Sequence, residues 1–163
     1  MNDTKYTIPA GAHIGHVHLK VSNIQRALDF YCGVLWFELV TKYGSDAVFV
    51  SAWWYHHHIW LNTRESKDAS PPPKHATGLY HVAVLYPTRK DLAIVTKRVI
   101  EAGYEIWAAD HGVSQAIYLS DPDGNGIELY RDRPKEEWPH KADGSIEMFT
   151  ENLDIHALLK EAE

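Results

Sequence analysis

The order strand, helix, strand, strand, strand is written twice in this chain, and such a repeat restricts the fold more than any other feature. HIGHVHLKV (13–21) alternates like a strand. SNIQRALDFYCGVL follows, with Ser22 and Gln25 as a capping box and Ile24, Ala27, Leu28, Tyr31 and Leu35 at helical spacing. FELVTKY, DAVFVSA and HHHIWLN then read as three short strands. The second half repeats the order: LYHVAVLY (79–86), a helix opened by Thr88 and Asp91 and closed by Gly103, then YEIWAA, SQAIYLSD and GIELYRD. The expected fold is α+β: two βαβββ modules forming a cupped mixed sheet, with a short C-terminal helix. The expected division is an N-terminal segment (1–12), a first module (13–63), a polar, proline-rich linker (64–78), a second module (79–133) and a tail (134–163) carrying the helix LDIHALLKEAE, packed on the body or on a second subunit.

Composition narrows the partners. Sixteen basic residues face 22 acidic ones, for a net charge of −6, and no basic stripe is visible, so nucleic acid is not an expected partner. Cys32 is the one cysteine, which rules out an intrachain disulfide and fits a reducing cytoplasm. MNDTKYTIPAGAHIGH lacks an apolar signal core, and no apolar run is long enough to span a bilayer. A cytoplasmic protein without membrane contact is expected. Eleven histidines are the unusual feature, and their placement carries the functional argument.

Duplication pairs positions. His16 in the first strand corresponds to His81 in its counterpart, and Glu128 in GIELYRD corresponds to the HHHIWLN run, where His58 lies between His57 and Ile59. Two modules side by side are expected to bring these four positions to one concave surface. Two imidazoles and one carboxylate form the facial triad of non-haem iron(II) oxygenases, which leaves coordination room for substrate and oxygen. His16, His81 and Glu128 are the candidate metal ligands. Each histidine also has a plain structural role open to it, as a satisfied polar residue in a strand.

GHVHLKVSNIQRALDFYCGVL, LYHVAVLYP and DPDGNGIELY resemble the vicinal oxygen chelate superfamily over about residues 13–132. The resemblance implies paired βαβββ modules around a divalent metal. It spans several chemistries, among them glyoxalase I, type I extradiol dioxygenases and antibiotic-resistance proteins. Glyoxalase I places a fourth ligand, usually glutamate, at the end of the first module, where this chain has YHHHIW. Extradiol dioxygenases carry a His-His pair there, a histidine before the penultimate strand and a tyrosine ten residues before the metal-binding glutamate. His111 and Tyr118 occupy those places.

The resemblance thus implies Fe(II), with Mn, Ni or Zn as alternatives, and a small aromatic, catechol-like substrate cleaved with dioxygen. His58 is the candidate acid–base, with His57 close behind; Tyr118 would bond a substrate oxygen and His111 would steady a developing anion. A glyoxalase-like lyase or isomerase, with His58 as a fourth ligand, is the enzyme alternative. A non-catalytic binder of small aromatic molecules is the third. A homodimer is implied by analogy.

The tryptophans depart from the family pattern. It would have glycine at VLWFEL (Trp36), in AWWY (Trp53, Trp54) and at HIWLN (Trp60), and Trp107 precedes His111 closely. Helix ends and tight hairpins favour residues of positive φ, which tryptophan resists.

Overall fold

Alternating apolar residues build two sheets in this computed structural model, which describes residues 7–73 and 75–163. Residues 1–6 of the expected N-terminal segment, and Lys74 of the linker, lie outside the described residues. The first sheet holds β1 (Val17–Lys20), β2 (Glu38–Tyr43), β3 (Ala47–Ser51) and β4 (Ile59–Asn62) in the order β1-β4-β3-β2. The second holds β5 (Val82–Leu85), β6 (Trp107–Asp110), β7 (Ser114–Ser120), β8 (Gly126–Asp132) and β9 (Glu151–Asn152) in the order β5-β8-β7-β6-β9. In each, the first and last strands of the unit pair in parallel, Val17 with Ile59 and Val82 with Ile127, while the intervening pairs are antiparallel. This is the expected α+β architecture of repeated βαβββ units.

Each unit's helix connects its parallel first strand to the rest. The first is short: α1 (Ile24–Leu28) passes into a π-helical turn over Asp29–Val34. Its cap is Asn23, whose side chain accepts from Arg26 N at 3.0 Å, and not Ser22 as the sequence suggests. Ser22 is engaged elsewhere, its N–H donating to Asp123 Oδ1 and its hydroxyl accepting from Arg26. In α2 (Arg89–Glu101) the cap is as expected, with Thr88 accepting from Asp91 N at 3.1 Å. Leu92, Val95 and Val99 of this helix are buried in one core with Leu19, Val50, Leu61, Ile117, Ile127 and Leu129.

The DPDGN turn ties the units together. Asp121 Oδ1 accepts from the backbone of Asp123 and Asn125, which shapes the turn, and Oδ2 accepts from the buried Tyr31 hydroxyl at 2.9 Å. Asp123 Oδ1 receives Ser22 N and pairs with Arg26 at 2.6 Å. Directly after the turn, Gly126 is obligatory, since a Cβ there would collide with the Tyr80 carbonyl. The tail returns to the body: α3 (Ile155–Leu159) caps on Asp154 and buries Leu158, and Glu161 pairs with Arg89 at the start of α2. The two-residue strand β9, added to the edge of β6, is absent from the sequence expectation.

Candidate active site

One row of side chains crosses the second sheet. Ala83, Glu128, Tyr118 and Trp107 are consecutive register partners across β5, β8, β7 and β6. Ile127, Leu129 and Ile117 turn to the core, so alternation sends Glu128 and Tyr118 to the other face. His81, just before β5, joins them: its Nε2 lies 3.0 Å from Glu128 Oε2. Tyr118 donates its hydroxyl to Glu128 Oε1 at 2.8 Å, and His111 Nε2 lies 2.8 Å from the same hydroxyl. His111 Nδ1 meets the Phe149 carbonyl at 2.9 Å.

The hydrogen bonds fix two of the protons in this row. A carbonyl only accepts, so His111 Nδ1 carries a proton. A phenol has one proton, and Tyr118 gives it to Glu128. One phenol oxygen thus joins the His111 ring to the Glu128 carboxyl. Burial, then the hydrogen bond to Glu128 and its charge, push the Tyr118 phenol well above its ordinary range, so it stays protonated.

The first sheet gathers a separate set. His16 and His57 lie with ring centroids 4.6 Å apart, their planes tilted by 54°, and His57 meets Phe49 edge-on at 4.9 Å. His18 stacks flat on Trp60, with centroids 3.9 Å apart, and bonds to Asn62. Burial, then His16, then Arg64 depress the His18 pKa; burial and then four neighbouring histidines, His16 foremost, depress that of His57.

His58 turns its Nδ1 back to the end of β3, accepting from Ala52 N at 3.1 Å with Ser51 Oγ at 2.9 Å. That leaves Nε2 as its free edge, on a cavity of about 350 Å3 walled by Gly15, Trp53, Trp54 and Tyr55. Burial and then His56 depress its pKa, so the ring is neutral at pH 7.

The sequence expects His16, His58, His81 and Glu128 to share one concave surface; the contacts of one chain join His81 to Glu128 and set His16 beside His57. Among the described residues, no three histidine, cysteine, aspartate or glutamate side chains are grouped so as to hold a metal ion. His81 and Glu128 converge as two ligands would, and His81 Nδ1 is buried without a partner. His16 stays with the first sheet. As a three-ligand centre, the single chain does not fit; as two ligands awaiting a third, it does. The sequence reading missed His18, which lies in β1 two residues after His16. It also missed the Phe149 carbonyl, which no local pattern marks.

Two sheets of this strand order, each closed by a parallel first-to-last pairing, define the paired βαβββ class. The family model for the glyoxalase/bleomycin resistance protein/dioxygenase superfamily matches residues 13–129, and the chain belongs to that family. A catechol-2,3-dioxygenase of Bacillus subtilis (strain 168) is 41% identical over 157 residues, covering 96% of this chain and 54% of the relative. A biphenyl-2,3-diol 1,2-dioxygenase 2 of Rhodococcus globerulus is 31% identical, covering 72% of this chain and 61% of the relative. The chain thus spans little more than half the length of these relatives. Among solved structures, a glyoxylase/bleomycin resistance protein/dioxygenase domain from Frankia sp. EAN1pec aligns with a TM-score of 0.63 at 18% identity, covering 75% of this chain and 98% of the other. A lactoylglutathione lyase from Agrobacterium tumefaciens aligns at 0.59 and 18%, covering 76% and 96%. These two likenesses establish the fold alone. Among the described residues, no helix is long and apolar enough to cross a membrane.

Proposed function

We propose that this chain is the subunit of an extradiol dioxygenase that opens the ring of a catechol-like aromatic. The observation that carries the reading is the bonded row His81–Glu128–Tyr118–His111. Its residue types and spacing are those implied by the dioxygenase resemblance, and two dioxygenases stand among the relatives. In the reaction, both atoms of dioxygen enter the product while the ring bond beside the diol breaks. Tyr118 and His111 provide hydrogen-bond donation to substrate oxygens as an oxyanion develops. His58, neutral with Nε2 free, is the base that takes a catechol proton.

The metal requirement belongs to the same reading. Fe(II) is the metal proposed, and His81 and Glu128 are two of its ligands. His16 is the third ligand proposed, supplied by a second copy. A second copy supplies the facing module, so the homodimer and the site are one proposal. The modules expected at 13–63 and 79–133 are its working units.

Anaerobic reconstitution with Fe(II), followed by a panel of catechols and then air, is expected to give a coloured ring-opened product. Failure with every catechol despite bound iron refutes ring cleavage. The shared site is tested separately by mixing inactive His16→Ala and Glu128→Ala chains. Partial recovery of activity is expected on mixing, because one of the two sites in a mixed dimer is intact; no recovery puts all three ligands on one chain.

A further inference from the structure

Of the six tryptophans in the chain, Trp138 behaves as the residue does in a folded protein: it is half-buried, and its indole N–H donates to the Arg133 carbonyl at 2.9 Å. Trp36, Trp53 and Trp54 do not. Their φ angles are 62°, 46° and 59°, in the left-handed region where a Cβ crowds the following carbonyl and a bulky side chain is an outlier. Elsewhere among the described residues, positive φ falls on Gly44, Gly103, Gly112, Gly124 and Gly144, and on Asp68, a type that tolerates it.

Strained backbone persists where its surroundings force it. Here the surroundings force nothing. Trp53 and Trp54 are 77% and 87% exposed, with their rings leaning on each other at 6.0 Å. Trp36 follows the end of the π-helical turn, at the place where a left-handed glycine ends many helices, and its ring lies open beneath Arg98. Strain selected for a function would fall on various bulky side chains. Among the described residues it falls on one type alone, three times. That points to a single cause acting on one residue type, which is how a codon behaves and not how a pocket evolves. Trp60, whose indole N–H is buried without a partner, is a further tryptophan out of place.

We infer that positions 36, 53 and 54 are glycine in the protein made by its own cells, through UGA codons that some cells translate as tryptophan and others as glycine. Glycine adopts each of these φ values without steric cost. It also removes two indoles from the wall of the cavity onto which His58 opens.

Mass spectrometry of the protein purified from the organism that encodes it tests the inference directly. Peptides spanning positions 36 and 53–54 are expected to be lighter by one indole-bearing side chain per position, with tryptophan retained in the peptide containing Trp138. Tryptophan at any of the three positions overturns the inference. The physical premise is tested on recombinant chains: Trp36→Gly/Trp53→Gly/Trp54→Gly is expected to shift the urea midpoint upward, against glycine's own cost in unfolded-chain entropy. A midpoint that stays or falls removes the premise.

Discussion

Tyr118 is bonded on both sides, to Glu128 and to His111, through one oxygen. Replacing it by phenylalanine keeps the ring on its strand and removes both bonds. We expect Tyr118→Phe to lower kcat/KM for a catechol by about 10²-fold with little change in bound metal, as the loss of one positioned donor does. Activity unchanged beside parent metal content would show that the hydroxyl is not used. The histidines of the first sheet make a different prediction. His18, His57 and His58 all have depressed pKa values, burial being the first cause in each. The unfolded chain therefore binds protons that the folded chain refuses, and stability, full above a pH of about 6.5, falls as pH drops below it. Denaturation midpoints from pH 7.5 to 5 are expected to decline. Replacing His57 and His58 together by glutamine is expected to flatten that decline; an unaltered slope would place the proton uptake elsewhere.

At the scale of elements, the outcome depended on whether the deciding contact was local. Thr88 caps α2 because its partner Asp91 is three residues away, and strand alternation in GIELYRD matches β8 residue for residue. Thr88→Ala is expected to cost about 1 kcal/mol of stability, read from urea unfolding; a change below a few tenths would mean that the helix end is held by other contacts. Ser22 has equally good local credentials for capping α1, yet its backbone is taken by Asp123, 101 residues away in sequence, and Asn23 caps instead. Tyr118 and Glu128 were legible as a pair because a hairpin sets residues ten apart face to face. The direction of the His58 ring was not, because Ser51 and Ala52 draw it back to a strand end that alternation does not describe. Nor was the added edge strand β9, whose two residues carry too little pattern to register.

The whole molecule is held as one body by the turn at Asp121–Asn125 gripping the first helix. Asp123 is buried while its partner Arg26 is half exposed, so removing the guanidinium leaves a carboxylate with little water. Arg26→Ala is expected to destabilise by about 2 kcal/mol, less than a fully buried pair because solvent already reaches the arginine. Equilibrium unfolding followed by tryptophan fluorescence is the check, and a loss under about half that value would show that Ser22 and Tyr31 suffice as the grip. The parallel pairing of each unit's outer strands has a further consequence, for synthesis. Val17 waits for Ile59, 42 positions later, before its edge is covered. The ribosome therefore exposes an unzipped ribbon through most of each unit's emergence, and non-local pairing of this kind closes slowly. Nascent chains paused inside either unit should be the species that chaperones hold and proteases cut, and those paused just beyond Asn62 should be the first to resist.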